Sequence, residues 1–237
     1  PRLLQQMRDT ITQWISRSSN LASVHFITFN ALNKISPKRP KMLLTSVGRI
    51  TEQKIALMRQ KTSSGKPALH AALDAMGDYA TLLVTGSGDA DYEQFLCETA
   101  ANYANFIFMC GYSDDLANMM YQQGDLFFMP SSFEPCGISQ MLALRAGQPC
   151  LVHQVGGLKD TIIDNKIGYV FSGNSLIEQA DALVTSVQRA LIQHQKKSPK
   201  WKNMGKAAAA TRFEWTQSVN DYLKQLYKVS ANSIIAD

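Results

Sequence analysis

Six short apolar runs constrain this chain more than any other feature: Met42–Val47, Ala80–Thr85, Phe106–Cys110, Leu126–Met129, Cys150–His153 and Tyr169–Phe171. Most are nearly continuous rather than alternating. A strand with one wet face alternates apolar and polar residues, whereas a strand covered on both faces is apolar throughout. The gaps between the runs carry helical patterns at Pro67–Met76, Tyr92–Tyr103, Asp114–Gln123 and Gly137–Ala146. Strand and helix in strict alternation predict βαβ units. The expected fold class is therefore α/β: a doubly wound, mostly parallel, six-stranded Rossmann-like sheet with C-terminal helices.

Beyond the last run the pattern turns helical. Ser175–His194 carries Leu176, Ala180, Leu183, Val187, Leu191 and Ile192 at helical spacing, and Gln195–Lys200 reads as a polar linker ending in Pro199. A final helix near Glu214–Tyr227 places Trp215, Val219, Tyr222, Leu223, Leu226 and Tyr227 on one stripe, expected to be core. The residues after Tyr227 read as a frayed tail. At the other end, Leu3–Ile15 has a helical pattern and Val24–Phe29 reads as a short strand, before Pro37 and Pro40 interrupt the chain. These shifts predict a leader or linker over 1–40, a Rossmann-like domain over 41–212, and a C-terminal helix and tail over 213–237. The first residue is proline rather than methionine, so a piece of a longer polypeptide is expected.

Composition narrows the function classes. With 237 residues the chain can bury a sizeable core, and 45% apolar against 18% charged residues fits a globular protein rather than a disordered one. No apolar run approaches the roughly 20 residues that span a membrane, and no secretory signal opens the chain. The net charge of +5 has no concentrated basic tract beyond Lys34–Lys41 and Gln195–Lys202. That argues against nucleic acid as a partner but suits a small phosphate-bearing ligand. Cys97, Cys110, Cys136 and Cys150 lack metal-ligand spacing and are expected to be buried free thiols in a cytoplasmic protein.

Ligands of open α/β sheets sit outside the carboxyl ends of the strands, so the loops there are the candidate ligand sites. Gly48-Arg49-Ile50-Thr51-Glu52-Gln53-Lys54 follows the first run; the planar fork of Arg49 and the point charge of Lys54 together suit a diphosphate. Two solvated loop cations would leave the same letters. Gly86-Ser87-Gly88-Asp89 begins a dinucleotide fingerprint, but Asp91 stands where its third glycine belongs, so a flexible turn is expected. Pro130-Ser131-Ser132-Phe133-Glu134-Pro135-Cys136-Gly137 places an acid beside a helix start, where unpaired N–H groups can hold phosphate while the acid accepts sugar hydroxyls. Read alone, Glu134 is equally a helix-capping acid. Val155-Gly156-Gly157-Leu158-Lys159-Asp160-Thr161 offers paired glycines that let backbone approach a ligand.

Taken together, G-R-I-T-E-Q-K, S-S-F-E-P-C-G-I-S-Q and V-G-G-L-K-D-T resemble the donor-domain motifs of bacterial glycogen synthases and plant starch synthases, in the same order and spacing. Gly111-Tyr112, Gly168-Tyr169-Val170-Phe171 and Arg212-Phe213-Glu214-Trp215 fall where that family has similar segments, so the resemblance runs from about Met42 to Tyr227. It implies the C-terminal, donor-binding half of a GT-B fold, and retaining transfer of glucose from ADP-glucose (or UDP-glucose) to an α-1,4-glucan such as glycogen or starch. It implies no cofactor and no metal. The partners it implies are the nucleotide-sugar, the α-glucan acceptor and an N-terminal GT-B domain without which the chain is expected to be inactive. The compartment it implies is the cytoplasm, or a plastid in a plant.

Position by position, the resemblance implies that Arg49 and Lys54 hold the diphosphate and that Glu134 lies at the donor sugar. Gly137, Ile138 and Ser139 would meet the distal phosphate with backbone amides, with Cys136 beside them. Tyr112 would stack on the base, and Gly156 and Gly157 would line the sugar. Leu142 stands where the wider retaining group has a second glutamate, and Ile55 stands where the family usually has glycine. Two alternatives remain compatible with these letters: a relative that binds nucleotide-sugar or glucan without catalysis, and a retaining transferase with another donor or acceptor.

Overall fold

A computed structural model describes residues 2–17, 28, 32 and 39–228. Its centre is a six-stranded sheet with spatial order β3-β2-β1-β4-β5-β6. The strands are β1 Met42–Val47, β2 Ala80–Gly86, β3 Phe106–Cys110, β4 Leu126–Met129, β5 Cys150–His153 and β6 Gly168–Phe171. Every pairing between them is parallel. The expected fold class therefore holds, and four of the six apolar runs coincide with their strands to the residue.

Two-sided burial explains why those runs were continuous. Leu44, Leu82, Val84, Phe106, Phe108, Phe128 and Leu151 face one core, while their neighbours Leu43, Leu83, Ile107, Phe127, Met129 and Val152 face the other. The first core is covered by α2 (Glu52–Arg59), α3 (Ala68–Met76), α4 (Ala90–Asn102) and α8 (Leu176–Gln195). The second is covered by α1 (Arg2–Arg17), α5 (Asp114–Gln123), α6 (Ser139–Arg145) and α7 (Gly156–Thr161). Along α1, Leu3, Met7 and Ile11 recur at helical spacing and are buried in this second core. A buried leucine or phenylalanine contributes about 1.5–3 kcal/mol, so these two layers hold the helices onto both faces of the sheet.

Several local expectations change. The stretch after Glu52 folds as the helix α2 rather than continuing as loop. Gly156–Thr161, read as a loop, forms the short helix α7 despite the low helix propensity of its two glycines. Gln195–Lys200 is not a plain linker. Ser198 caps a new helix α9 (Pro199–Ala210) by accepting from the Trp201 N–H, with Pro199 in the first turn, the position where proline lacks a needed donor least. Of the strand expected over Val24–Phe29 only Thr28 is described, and its backbone is helical; the remainder lies outside the described residues.

The C-terminal stripe is a correction. A helix α10 (Trp215–Asp221) runs into a π-helical turn at Tyr222–Leu226, but Trp215, Val219, Tyr222, Leu226 and Tyr227 are all exposed. Helical periodicity reports which face is apolar, not what covers it. The cysteine expectation also changes. None of the four is in a disulfide, but only Cys150 is fully buried; Cys97 and Cys110 are half-buried and Cys136 is exposed. No helix among the described residues is long and apolar enough to cross a membrane.

Burial also sets a pH dependence. His70, His153 and His194 each have their pKa lowered, with desolvation the largest cause in all three. The folded protein thus binds fewer protons at these sites than the unfolded chain, whose imidazoles titrate near pH 6.5. Their stabilising contribution is complete above that value and is lost as pH falls through it towards the depressed folded values. The urea midpoint should fall between pH 7.5 and 5.5; equal midpoints at the two values would contradict this.

Candidate functional site

The chain winds outward through β1, β2 and β3, then returns to the other side of β1 for β4, β5 and β6. The reversal lies between β1 and β4, which pair at Leu44↔Leu126 and Thr45↔Phe127. Connections leaving two adjacent strands in opposite directions open a crevice at their carboxyl ends. The loops that fill it are 48–51 after β1 and 130–138 after β4.

The first loop is held by backbone rather than side chains. Gly48 N–H donates to Thr85 at 3.2 Å, Ile50 N–H to Ser87 at 3.0 Å, and Asp89 N–H to the Ile50 carbonyl at 2.7 Å. A Cβ on Gly86 or Gly88 would collide with the carbonyl oxygens of Gly48 or Ile50. The G-S-G segment is therefore neither a dinucleotide fingerprint nor a flexible turn. Its glycines let the loop after β2 ladder onto the loop after β1 and fix where Arg49 emerges.

Arg49 is exposed, and it lines one pocket together with Ser46, Gly48, Lys54, Met129, Pro130 and Ser131. No hydrogen-bond or ion-pair partner for Arg49 lies among the described residues. Lys54, in the first turn of α2, forms an ion pair with the Oε2 of Glu134, and the two side chains are only 18% and 8% exposed. Ser131 Oγ stands 3.4 Å from the same carboxylate oxygen. The structure thus brings Arg49, Lys54 and Glu134 to one crevice, as the spacing along the chain suggested. It adds a direct contact between two of them that the sequence did not express.

The loop carrying Glu134 is strapped on three sides. Ser132 N–H donates to the Gln53 carbonyl on α2 at 2.8 Å, and Gly157 N–H donates to the Glu134 carbonyl at 3.0 Å. His153 Nδ1 lies 3.1 Å from the Ser131 carbonyl. Gly156 (φ +43) and Gly157 have no room for a side chain: a Cβ would strike the carbonyl oxygen of Glu134 or of Cys136. These two glycines therefore abut the Glu134 loop directly.

Gly137 (φ +80) turns the chain into α6, and Gln140 fills the space a Cβ on Gly137 would occupy. Its Nε2 donates to the carbonyls of Cys136 and Gly137 at 3.1 and 2.9 Å. Among the described residues the N–H groups of Gly137, Ile138 and Ser139 meet no backbone or side-chain acceptor, and Ile138 is 68% exposed. Those amides, at the turn into α6, and the exposed Cys136 thus continue the strapped loop that carries Glu134, against which the glycine pair of α7 packs. Tyr112 stands apart. It follows β3, is 58% exposed, and its hydroxyl donates to Asp114 at 2.9 Å; that contact is the largest cause of its raised pKa. It does not line the pocket of Arg49 and Lys54.

Three buried residues of the site were not singled out from sequence. Ser131 and Gln140 lay inside quoted motifs, but nothing in their type marked a role. His153 ends an apolar strand, where an imidazole reads as ordinary core; burial holds it neutral against the opposing pull of its bond to Ser131. Among the described residues no three His, Cys, Asp or Glu side chains group to hold a metal ion.

A family model described as glycosyl transferases group 1 matches residues 32–210. The glycogen synthase of Rhodopirellula baltica is 32% identical over 203 residues, covering 81% of this chain and 38% of its own length. That of Thioalkalivibrio sulfidiphilus is 36% identical over 192 residues, covering 78% of this chain and 38% of its own. The chain thus spans well under half the length of these relatives. Among solved structures, the catalytic domain of starch synthase IV from Arabidopsis thaliana, bound to ADP and acarbose, superposes with a TM-score of 0.65 at 22% identity. The match covers 86% of this chain and 43% of that one, and at such identity it supports the fold.

Proposed function

Since the chain belongs to the glycosyl transferases group 1 family, we propose that it is the donor-binding half of a retaining glucosyltransferase that moves glucose from ADP-glucose to an α-1,4-glucan. The observation carrying this reading is the convergence of Arg49, Lys54 and Glu134 at the switch point of the sheet. Similarity to curated glycogen synthases supports glucose as the group transferred and a glucan as acceptor. The starch synthase structure that superposes on the chain was solved with ADP, and another superposing structure, Anabaena HepE, with UDP-glucose. The acceptor and its binding residues belong, in this reading, to the part of the relatives that the chain does not span.

The chemistry follows from the geometry. As the glycosidic bond to the nucleotide breaks, negative charge builds on the diphosphate, and cations aimed at that charge lower the barrier. Lys54 has three N–H donors; one meets Glu134 and the others are left for phosphate oxygens. Arg49 is the cation whose charge no described side chain offsets, so it contributes the net attraction for the diphosphate. The amides of Gly137, Ile138 and Ser139 add neutral donors on the same loop. Glu134 keeps one oxygen on Lys54 and offers the other to a sugar hydroxyl, while Gly156 and Gly157, lacking side chains, let their backbone close onto the loop that presents Glu134. Tyr112, two strands away, is within this reading a stacking surface for the base.

Calorimetric titration of the chain with ADP and with UDP tests the assignment. ADP is expected to bind more tightly, and Arg49→Ala should raise its dissociation constant about 10- to 100-fold, the value of a charged hydrogen bond. Unchanged ADP affinity in the Arg49→Ala variant would refute the site.

A further inference from the structure

The geometry points to His153 as a positioning residue for the Lys54–Glu134 pair. The inference rests on the donor-site reading and names a residue that this reading did not use. β4 and β5 pair as far as Met129↔Val152. Beyond that point the strands part to open the crevice, and the backbone ladder stops. Pro130 has no N–H to give. Val155 N–H turns back onto the His153 carbonyl at 2.8 Å, and Gln154 N–H is committed to Phe171 at 2.9 Å. The Ser131 carbonyl, on a residue 1% exposed, would then be a buried acceptor with no donor from the neighbouring strand, which is costly.

His153 supplies that donor from a side chain. Its ring is itself buried and lies flat on Phe171, with centroids 5.0 Å apart and planes 12° apart. Because the partner at 3.1 Å is a carbonyl, Nδ1 must carry the proton. Burial keeps the imidazole neutral. The ring thus replaces one rung of the ladder where the strands diverge. What it fixes is the residue whose hydroxyl meets the Glu134 carboxylate, and that carboxylate in turn orients Lys54. The other two straps on this loop are backbone bonds, at Ser132 and Gly157. The Ser132 hydroxyl only doubles its own backbone bond to the Gln53 carbonyl, at 3.2 Å, so His153 is the strap that a side-chain substitution removes outright.

The test is ADP titration of two variants that both lose the stack on Phe171 and differ in the donor. The Asn side-chain N–H₂ occupies roughly the place of Nδ1–H, whereas Leu has the same branching and no donor. His153→Leu is expected to weaken ADP binding about ten-fold and His153→Asn no more than about two-fold, within the range of coupled neighbouring sites. In a Lys54→Ala background the difference between the two should vanish, because the effect travels through Lys54; a merely structural role would leave it intact. If the leucine variant does not fold, His153→Phe, which keeps the stack and has no donor, takes its place under the same criteria. Equal affinities for the donor and donor-free variants, or a difference that persists without Lys54, would overturn the role of His153 alone. Failure of the unaltered chain to bind ADP would overturn the donor-site reading and this inference with it.

Discussion

Lys54→Met should lower the free energy of unfolding by about 3 kcal/mol, and adding Glu134→Gln should return most of it. The two partners of this ion pair are not equally able to reach water. Glu134 is 6% exposed, and its carboxylate faces Lys54 and the Ser131 hydroxyl. Removing the ammonium leaves a buried anion with one weak hydroxyl contact, and an unpaired buried charge costs far more than the pair contributes. The loss stays at the low end for buried pairs because the Lys54 side chain is still 18% exposed. The reverse substitution is milder. Glu134→Gln leaves an ammonium on a flexible stem that can reach water, and its cost should be about 1 kcal/mol. Urea unfolding of the two single variants and the double variant closes the cycle. Equal losses for Lys54→Met and Glu134→Gln, or no recovery in the double variant, would show that the carboxylate is not held by Lys54 in solution.

That pair also marks the limit of what the sequence could express. The strands were legible because burial on both faces leaves a continuous apolar run, and Leu43 and Leu44 show the cause by facing opposite cores. The placement of Arg49, Lys54 and Glu134 at one sheet edge was legible because each follows a strand of a doubly wound sheet. Their mutual contacts were not. Separate tasks for Lys54 and Glu134 fit the letters as well as an ion pair does, since 80 residues of chain separate them. The helix α9 was obscured by Pro199, which reads as a breaker unless the Ser198 cap is recognised. The stripe from Trp215 to Tyr227 has correct helical periodicity and the wrong surroundings. His153 carried no signal at all, because its task arises only where two strands separate.

Gly156→Ala should be the most damaging small substitution at the site, destabilising the fold by more than about 3 kcal/mol or displacing the Glu134 loop. Two costs act at that residue. Its φ of +43 lies in the left-handed region, which costs a residue with a Cβ roughly 1–2 kcal/mol. The added carbon would also collide with the Glu134 carbonyl oxygen, which is backbone and cannot swing aside. That carbonyl already receives the Gly157 N–H, so relief of the clash requires the loop to move as a unit. Gly147→Ala separates the two costs. Gly147 has φ +84, but its Cβ would meet nothing closer than Ala209 at 3.4 Å. It should therefore show the backbone penalty alone, about 1–2 kcal/mol, with ADP binding unchanged because Gly147 lies after α6, away from the pocket of Arg49 and Lys54. Denaturant unfolding together with ADP titration of both variants distinguishes the cases. If Gly156→Ala matched Gly147→Ala in stability and kept full affinity, the close approach of the glycine pair to the Glu134 loop would have no part in shaping the site.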